Sequence, residues 1–405
     1  GGAMGGAMGG PPQYHGGMPP MPPPHPGVPP HGMGPHAGWG DPRGGAQQHG
    51  RGTVLQMLAN LESPDEIPWG LLSMVARDPD GSRLLQARLP GLPAAQLERA
   101  IRELKPDLFE LSRHMFGNYL VSKLVVQPQM HATFESSVRG HVVSLMRHPQ
   151  GSRVMQAALR ALPSDVADKL LEEMDGRVLD CATDSHGSWG VAAAFKLSRP
   201  LFIFDQLSPH MHALSTQQHG CRVVQVVLAA SPGLDLTVAV DSIVHGGIEQ
   251  LAVHPYGNYA VQVLLRHAPP EQRDRVLTLL WPHFLPLATS KHGSNVAERL
   301  IALATPEQLE ELRQTHFGES AEAQVSLCSL LEHPFGNYVL KVLLSRLEPD
   351  PTRHTTSPAI AAVRAATKPT NYGRSVLASL GLGVVGPVSA PHAGGAAGRA
   401  AGAAG

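Results

Sequence analysis

The sequence predicts an all-α protein, a solenoid of stacked helical repeats, and three observations carry this prediction. A short phrase recurs nine times: Gly, a small polar residue, a planar or basic residue, and then two residues that are almost always apolar. Between its copies, Leu, Val and Ala recur at three- and four-residue spacing, which is typical of amphipathic helices. The spacing of the copies is nearly constant, and a period of this size marks units that bury their apolar faces by stacking on one another. The glycines that begin the phrase are Gly81, Gly117, Gly151, Gly187, Gly220, Gly257, Gly293, Gly336 and Gly373, at steps of 36, 34, 36, 33, 37, 36, 43 and 37 residues.

Composition divides the chain into three segments. Residues 1–52 are rich in Gly, Pro, Met and His, and residues 383–405 are rich in Gly and Ala. Both segments lack the aliphatic side chains needed to offset chain entropy, so we expect them to be disordered. Residues 53–382 hold the repeats. The chain begins with Gly rather than Met, which suggests a fragment of a longer protein.

Each repeat is predicted to contain a helix that ends near the phrase, a tight turn, a signature helix that begins at the Gly, and a following helix. His-Pro pairs three residues before the Gly mark the turn, because Pro suits a helix start. The Gly is expected to give the backbone freedom there, and the polar residue after it to satisfy open backbone N–H groups. The long step before Gly336 includes residues 315–320, which we interpret as a surface loop.

Charge, cysteine usage and hydropathy narrow the class of protein. The chain has 32 basic and 33 acidic residues, and its repeat region has 29 and 32, so a strongly basic nucleic-acid-binding surface is not predicted. The three cysteines lack CxxC spacing, which indicates neither a disulfide framework nor a zinc site and favours a reducing compartment. No apolar run approaches the roughly 18 residues of a membrane span. No nucleophile–base set, metal cluster or phosphate loop is visible, so we expect no enzyme activity, cofactor or metal.

The polar residues of the phrase are the candidate functional residues. Counted from the residue after the Gly, positions 3 and 4 are apolar and are predicted to pack against neighbouring helices. Positions 1 and 5 share one helix face with position 2 beside them, so stacking would align them into a continuous ridge. Position 1 is Asn, Ser or Cys in eight copies, position 2 is usually Tyr, Arg, Trp or Asn, and position 5 is Gln in four copies and Glu in one. Amides and carboxylates can bond to the edge of a base, while Tyr, Trp and Arg offer flat surfaces for stacking.

In these residues the chain resembles the Pumilio-type (PUF) RNA-binding proteins over residues 53–382. The resemblance implies a right-handed α-solenoid crescent of eight three-helix repeats with flanking half-repeats. It also implies that the concave face binds single-stranded RNA, one base per repeat, with the N-terminal repeat at the 3′ side of the RNA. Positions 1 and 5 would contact base edges through Ser82, Gln86, Asn118, Ser122, Ser152, Gln156, Ser188, Cys221, Gln225, Asn258, Gln262, Ser294, Glu298, Asn337 and Lys341. Position 2 would stack on bases through Arg83, Tyr119, Arg153, Trp189, Arg222, Tyr259, Asn295 and Tyr338.

The resemblance further implies a target sequence. Ser294 with Glu298 matches the family's guanine-reading pair, and Asn258 with Gln262 matches a uracil-reading pair. Three pairs match adenine: Cys221 with Gln225, Ser152 with Gln156, and Ser82 with Gln86. From the eighth repeat to the first, the pairs give about UGUANAUA in the 5′ to 3′ direction.

Several copies depart from the family pattern. Asn118 is paired with Ser122, which is too short to reach as Gln would, so the second repeat should read its base loosely. Asn337 is paired with Lys341, whose ammonium can donate to a uracil oxygen or attract phosphate, which puts discrimination against C in doubt. The fourth repeat has Ala192 at position 5 and is expected to stack on Trp189 without reading a base. The ninth copy, residues 374–378, has lost the polar pair and is interpreted as a terminal cap.

The resemblance therefore implies a cytoplasmic, monomeric binder of mRNA 3′ untranslated regions. It would regulate translation or mRNA stability through recruited protein effectors of repression or deadenylation. No membrane is expected among its partners. Two alternatives stay open from the sequence: a divergent ribosome-biogenesis member that binds RNA with little sequence preference, and a peptide-binding α-solenoid scaffold.

Overall fold

A computed structural model of the protein describes residues 66–367 and 371–382. The chain divides into two units, Gly1–Gly52 and Thr53–Gly405, and all the described residues belong to the second unit. The segments predicted to be disordered, 1–52 and 383–405, lie outside the described residues. The described part is helical throughout and contains no strand, which confirms the predicted all-α class. None of its helices is long and apolar enough to cross a membrane.

A complete repeat has an outer helix, a helix that precedes the phrase and a signature helix, in that order. The outer helices span Ala94–Leu104, His131–Val138, Ser164–Leu171, Leu201–Leu207, Thr237–His245, Pro270–Leu280 and Pro306–Phe317. The helices that precede the phrase span Leu72–Ala76, Leu108–Arg113, Val142–Met146, Val178–Thr183, Met211–Ser215, Ile248–Val253, Phe284–Ala288, Ala321–Glu332 and Pro358–Ala366. The signature helices span Pro79–Arg88, Gly117–Leu124, Pro149–Ala161, Gly187–Ser198, Gly220–Ala229, Gly257–His267, Gly293–Leu303, Gly336–Leu347 and Asn371–Ser379. Short 3₁₀ turns occupy Leu89–Gly91, Lys105–Asp107, Pro128–Met130, Glu172–Met174, Ser208–His210, Trp281–His283 and Pro351–Arg353.

The described residues thus contain seven complete three-helix repeats, with a helix pair before them and another after them. Each signature helix packs against the signature helix of the next copy, from the first to the ninth. Positions 3 and 4 of the phrase are buried in one continuous apolar core, as the sequence predicts, except that Leu84 is half-buried. The stack is held by this core, because no single repeat could bury its own apolar face.

The signature glycines are needed for close packing. A Cβ added at Gly151, Gly187 or Gly220 would lie 2.6 Å from the carbonyl oxygen six residues earlier, at the end of the preceding short helix. None of the signature glycines among the described residues has a positive φ. The expectation that Gly supplies backbone freedom is therefore wrong: Gly is there because the backbone of the short helix passes too close for a side chain.

The long step to the eighth repeat is helical. The outer helix continues to Phe317, and the helix before the phrase, Ala321–Glu332, has 12 residues where its counterparts in the second to seventh repeats have five or six. The predicted surface loop is thus wrong for residues 315–317, and residues 318–320 alone connect the two helices. His316 lies inside, 2% exposed, with its Nδ1 2.7 Å from the Ser326 hydroxyl.

Candidate nucleic-acid interface

In seven of the nine copies, the turn before the signature helix is closed by the side chain of the residue three positions before the Gly. In four repeats this residue is a histidine whose Nδ1 accepts hydrogen bonds from two backbone N–H groups at 3.1–3.4 Å; these are His114, His148, His254 and His333. Asp78 and Asp184 accept the same pair of N–H groups through Oδ1 at 2.8–2.9 Å, and Ser290 accepts one of them. The expectation that the position-1 residue satisfies these N–H groups is wrong, because the side chain before the turn already does so.

Position-1 side chains are buried, and seven of the eight donate to a backbone carbonyl instead of accepting from the N–H groups of the turn. Asn118, Asn258 and Asn337 each donate Nδ2 to two backbone carbonyls of the turn, at 2.8–3.0 Å. Ser82 and Ser152 donate to a carbonyl of the following repeat, at 2.9 and 3.0 Å. Bonds to backbone carbonyls hold every position-1 residue except Ser188 at the start of its signature helix, and all eight residues are at most 6% exposed. The position-1 side chains therefore lie beneath the exposed surface of the ridge.

Position-5 side chains lie beside position 1, as the helical spacing predicts. Gln86 donates to Ser82 Oγ at 3.0 Å, and Gln262 donates to Asn258 Oδ1 at 3.0 Å. Gln156 likewise donates to Ser152 Oγ at 3.3 Å, whereas Gln225 donates to the backbone carbonyl of Cys221 at 3.1 Å. The structure thus brings together four of the predicted base-edge pairs. The glutamines are half-buried, so part of each residue reaches the surface.

Position-2 side chains form the outer edge of the same face. Tyr119 and Trp189 are each 48% exposed, although both are large apolar groups. Position-2 side chains of neighbouring repeats contact each other in two places. The Arg222 guanidinium lies 3.6 Å from the Trp189 ring centroid, and Arg153 donates to the Tyr119 hydroxyl at 3.5 Å. Trp189 is therefore at the surface and not in the core. Burial lowers the pKa of Arg222, but the guanidinium stays charged at neutral pH.

The fourth repeat is built for packing more than for hydrogen bonding. Ser188 is fully buried and its hydroxyl has no partner, and Ala192 is 7% exposed. Gly190 has a structural reason, because a Cβ there would meet Met146 of the preceding repeat.

The eighth repeat departs from the others at position 5. The Lys341 ammonium donates to Ser375 Oγ of the ninth copy at 2.7 Å and lies 5.0 Å from the Tyr338 ring centroid. Burial lowers the pKa of Lys341. Ser375 was not among the sequence-predicted site residues, and its signal was weak because the ninth copy lacks the polar pair.

The remaining site residues lie on the same face. Arg83 pairs with Asp80 at 2.9 Å, Asn295 donates to the His292 carbonyl at 3.4 Å, and Tyr259 is half-buried. Ser122 and Glu298 occupy half-buried position-5 sites. Burial raises the pKa of Cys221, so its thiol is neutral and can act as a weak donor. No group of three metal-ligating side chains occurs within residues 66–367 and 371–382.

Sequence reasoning missed the residues that cap the turn. The recurrence of His three positions before the Gly was visible, but its role as an acceptor was not. A search for any side-chain acceptor at that place would have grouped His with Asp and Ser, since all three accept from backbone N–H groups.

The fold and this face together define an α-solenoid repeat protein that presents one polar pair and one flat side chain per repeat. Five segments match the model of the Pumilio-family RNA-binding repeat, at residues 107–123, 141–174, 210–238, 248–280 and 283–313. The chain is a member of the Pumilio (PUF) family. The copies that begin at Gly81, Gly187, Gly336 and Gly373 lie outside the matched segments.

Relatives and solved structures agree with this assignment. The chain is 27% identical over 324 residues to a putative pumilio homolog 10 of Arabidopsis thaliana, covering 72% of this chain and 59% of that protein. It is 24% identical over 331 residues to Fem-3 mRNA-binding factor 2 of Caenorhabditis elegans, covering 72% and 52%. The chain thus spans about half the length of the curated relatives it matches. The solved Puf3 RNA-binding domain bound to a Cox17 RNA 3′ UTR recognition sequence has the same fold, with a TM-score of 0.70, 24% identity and coverage of 81% of this chain and 99% of that domain.

Proposed function

We propose that this protein binds single-stranded RNA sequence-specifically and recognises an element of about UGUANAUA in mRNA 3′ untranslated regions. The observation that carries the proposal is the row of packed signature helices, in which four amide side chains lie hydrogen-bonded beside their position-1 partners and flat side chains flank them. Each pair is held at one place on its helix, so each can address one base of an extended strand.

Stacking and base-edge contacts suffice for binding without a basic groove. Stacking of a base on an aromatic side chain contributes roughly 1–3 kcal/mol, and exposed Tyr119 and Trp189 offer such surfaces. A good base-edge pair adds roughly 1–3 kcal/mol of discrimination. Because few phosphate contacts are needed, we expect affinity to fall less steeply with salt than for a binder dominated by phosphate contacts.

Unequal repeats should give unequal specificity. Ser188 and Ala192 offer no accessible polar group, so the fifth base should tolerate substitution. Lys341 is drawn towards the ninth copy, so the first base should be read less strictly than the third, which faces Asn258 and Gln262.

The test compares affinity for 5′-UGUAUAUA-3′ with affinity for the same RNA whose first UGU is replaced by ACA. Strong preference for the first RNA supports the proposal, and equal affinity would overturn it in favour of RNA binding without sequence preference. A matched protein variant comes from the chain itself: Asn258→Ser with Gln262→Glu copies the pair Ser294 and Glu298 into the sixth repeat. That double variant should prefer G over U at the third base.

We further propose that the bound message is repressed or destabilised through recruited protein effectors, in the cytoplasm and by one copy of the chain per site. The face opposite the signature helices remains available to partners while RNA is bound. A reporter message carrying the element, expressed with this protein, should yield less product than one carrying the ACA version.

A further inference from the structure

Three signature helices begin with a matching pair of residues. A histidine lies three positions before the Gly, and an asparagine occupies position 1, in the second, sixth and eighth repeats. The pairs are His114–Asn118, His254–Asn258 and His333–Asn337. None of the other copies has Asn at position 1.

Each histidine holds its asparagine and its turn at the same time. In the sixth repeat, His254 Nδ1 accepts from the backbone N–H groups of Tyr256 and Gly257 at 3.2 and 3.1 Å. The carbonyl of the same histidine accepts from Asn258 Nδ2 at 2.8 Å. The second and eighth repeats reproduce these three bonds at 2.8–3.4 Å.

We propose that these three histidines are positioning residues for base recognition and act only in their neutral form. The inference rests on the proposed function. An imidazole nitrogen accepts a hydrogen bond only while it carries no proton. Protonation would set an N–H group against the two backbone N–H groups and open the turn. The carbonyl that anchors the asparagine belongs to that turn, so the asparagine would lose its fixed position and its uracil preference.

The three histidines have different surroundings. Burial lowers the pKa of His114, and the Arg77 guanidinium of the preceding repeat lowers it further. The Tyr256 ring centroid lies 5.9 Å from that of His254. In the next repeat, burial and the neighbouring charges of Lys291 and His254 lower the pKa of His292. His333 has the Phe335 ring centroid at 5.7 Å and Glu332 beside it in the chain.

The chain also contains the same cap in a form that does not titrate near neutrality. Asp78 and Asp184 accept the equivalent N–H pair at 2.8–2.9 Å. A carboxylate stays an acceptor down to about pH 4. Exchange of His for Asp is therefore compatible with this turn and removes its sensitivity to mild acid.

The experiment measures how strongly the full chain prefers U over C at the third base of 5′-UGUAUAUA-3′. It is done at about pH 8 and at about pH 5.5, which lie on either side of the ordinary imidazole pKa of about 6.5. In the wild type, this preference should be partly lost at the lower pH, because a protonated imidazole nitrogen cannot accept the two backbone N–H groups of the turn. In His254→Asp it should be the same at both values. His219→Asn is the matched control, because His219 lies in the fifth-repeat turn and makes no cap hydrogen bond; it should behave as the wild type does.

Three outcomes are distinguishable. Equal loss of preference in the wild type and in His254→Asp would overturn the inference, and so would a wild type that keeps its preference in mild acid. Absence of any preference in the wild type at about pH 8 would instead refute the proposed function. His333→Asp, read at the first base, repeats the test in a second repeat in case His254→Asp folds poorly.

Discussion

Replacement of Gly151 by Ala should destabilise the protein, although Gly→Ala in a helix ordinarily stabilises. The new Cβ would lie 2.6 Å from the Leu145 carbonyl oxygen and 3.0 Å from both its Cα and Cδ2. Two of these three atoms are backbone, so the short helix Val142–Met146 would have to move away from the signature helix. Such overpacking costs about 1–3 kcal/mol, while the gain in helix propensity is up to about 1 kcal/mol. We therefore expect a net loss of about 1–2 kcal/mol in the free energy of unfolding.

Gly91→Ala is the matched control for this prediction. Gly91 lies in a 3₁₀ turn, has no positive φ, and a Cβ there would meet no atom within 4 Å. This variant should be unchanged or more stable by about 0.4–1 kcal/mol, because Ala restricts the unfolded chain.

Urea unfolding followed by far-UV circular dichroism compares the two variants with the wild type. A lower midpoint for Gly151→Ala and an unchanged or higher midpoint for Gly91→Ala are expected. If Gly151→Ala unfolds at the wild-type midpoint or above it, the close approach of the two helices is not what requires glycine.

Three further outcomes are expected. Glu298→Gln should weaken the preference for G at the second base by about 1–3 kcal/mol, since a carboxylate accepts from both guanine N–H groups; undiminished preference in competition binding would contradict the pairing. A base that stacks on Trp189 must displace Arg222, so 5′-UGUAUAUA-3′ should alter tryptophan fluorescence in the wild type and much less in Trp189→Phe, and an identical change in both would refute stacking at this site. Burial lowers the pKa of His316 to about 4, whereas the pKa of an unfolded histidine is about 6.5. The neutral side chain therefore contributes roughly 3 kcal/mol to the free energy of unfolding above about pH 6.5. This contribution is lost as the pH falls towards 4. His316→Gln should therefore show a flatter decline of the unfolding midpoint between about pH 7 and about pH 4.5, and parallel curves would contradict the assignment.

The periodic features of the fold could be predicted because they depend on local spacing. The apolar residues at positions 3 and 4 recur with the phrase, so their burial follows from the helical repeat and from stacking. The adjacency of positions 1 and 5 likewise follows from the helical turn, and the Gln262–Asn258 bond confirms it. The roles of the predicted site residues in reading bases remain predictions.

Two errors have a common cause. Backbone freedom at the glycine and a cap at position 1 are both expectations that rest on residues adjacent in sequence. In the structure, Gly151 is required by a carbonyl six residues earlier, and the N–H groups are satisfied by His148. The loop expected at residues 315–317 is wrong for a similar reason: Gly318 marks a break, but the sequence does not show how far the helices extend on either side of it.

The sequence by itself determined the period, the helical class and the identities of the side chains on each signature helix. These features can be read from residue spacing, because side chains on a helix recur every three or four residues and the repeats of a solenoid recur at a nearly fixed length. The tertiary structure alone decided which side chains meet across repeats: Ser82 with the Phe116 carbonyl, Trp189 with Arg222, and Lys341 with Ser375. These contacts join atoms 33 or 34 residues apart, and their distances depend on how two helices are packed rather than on the spacing within either one.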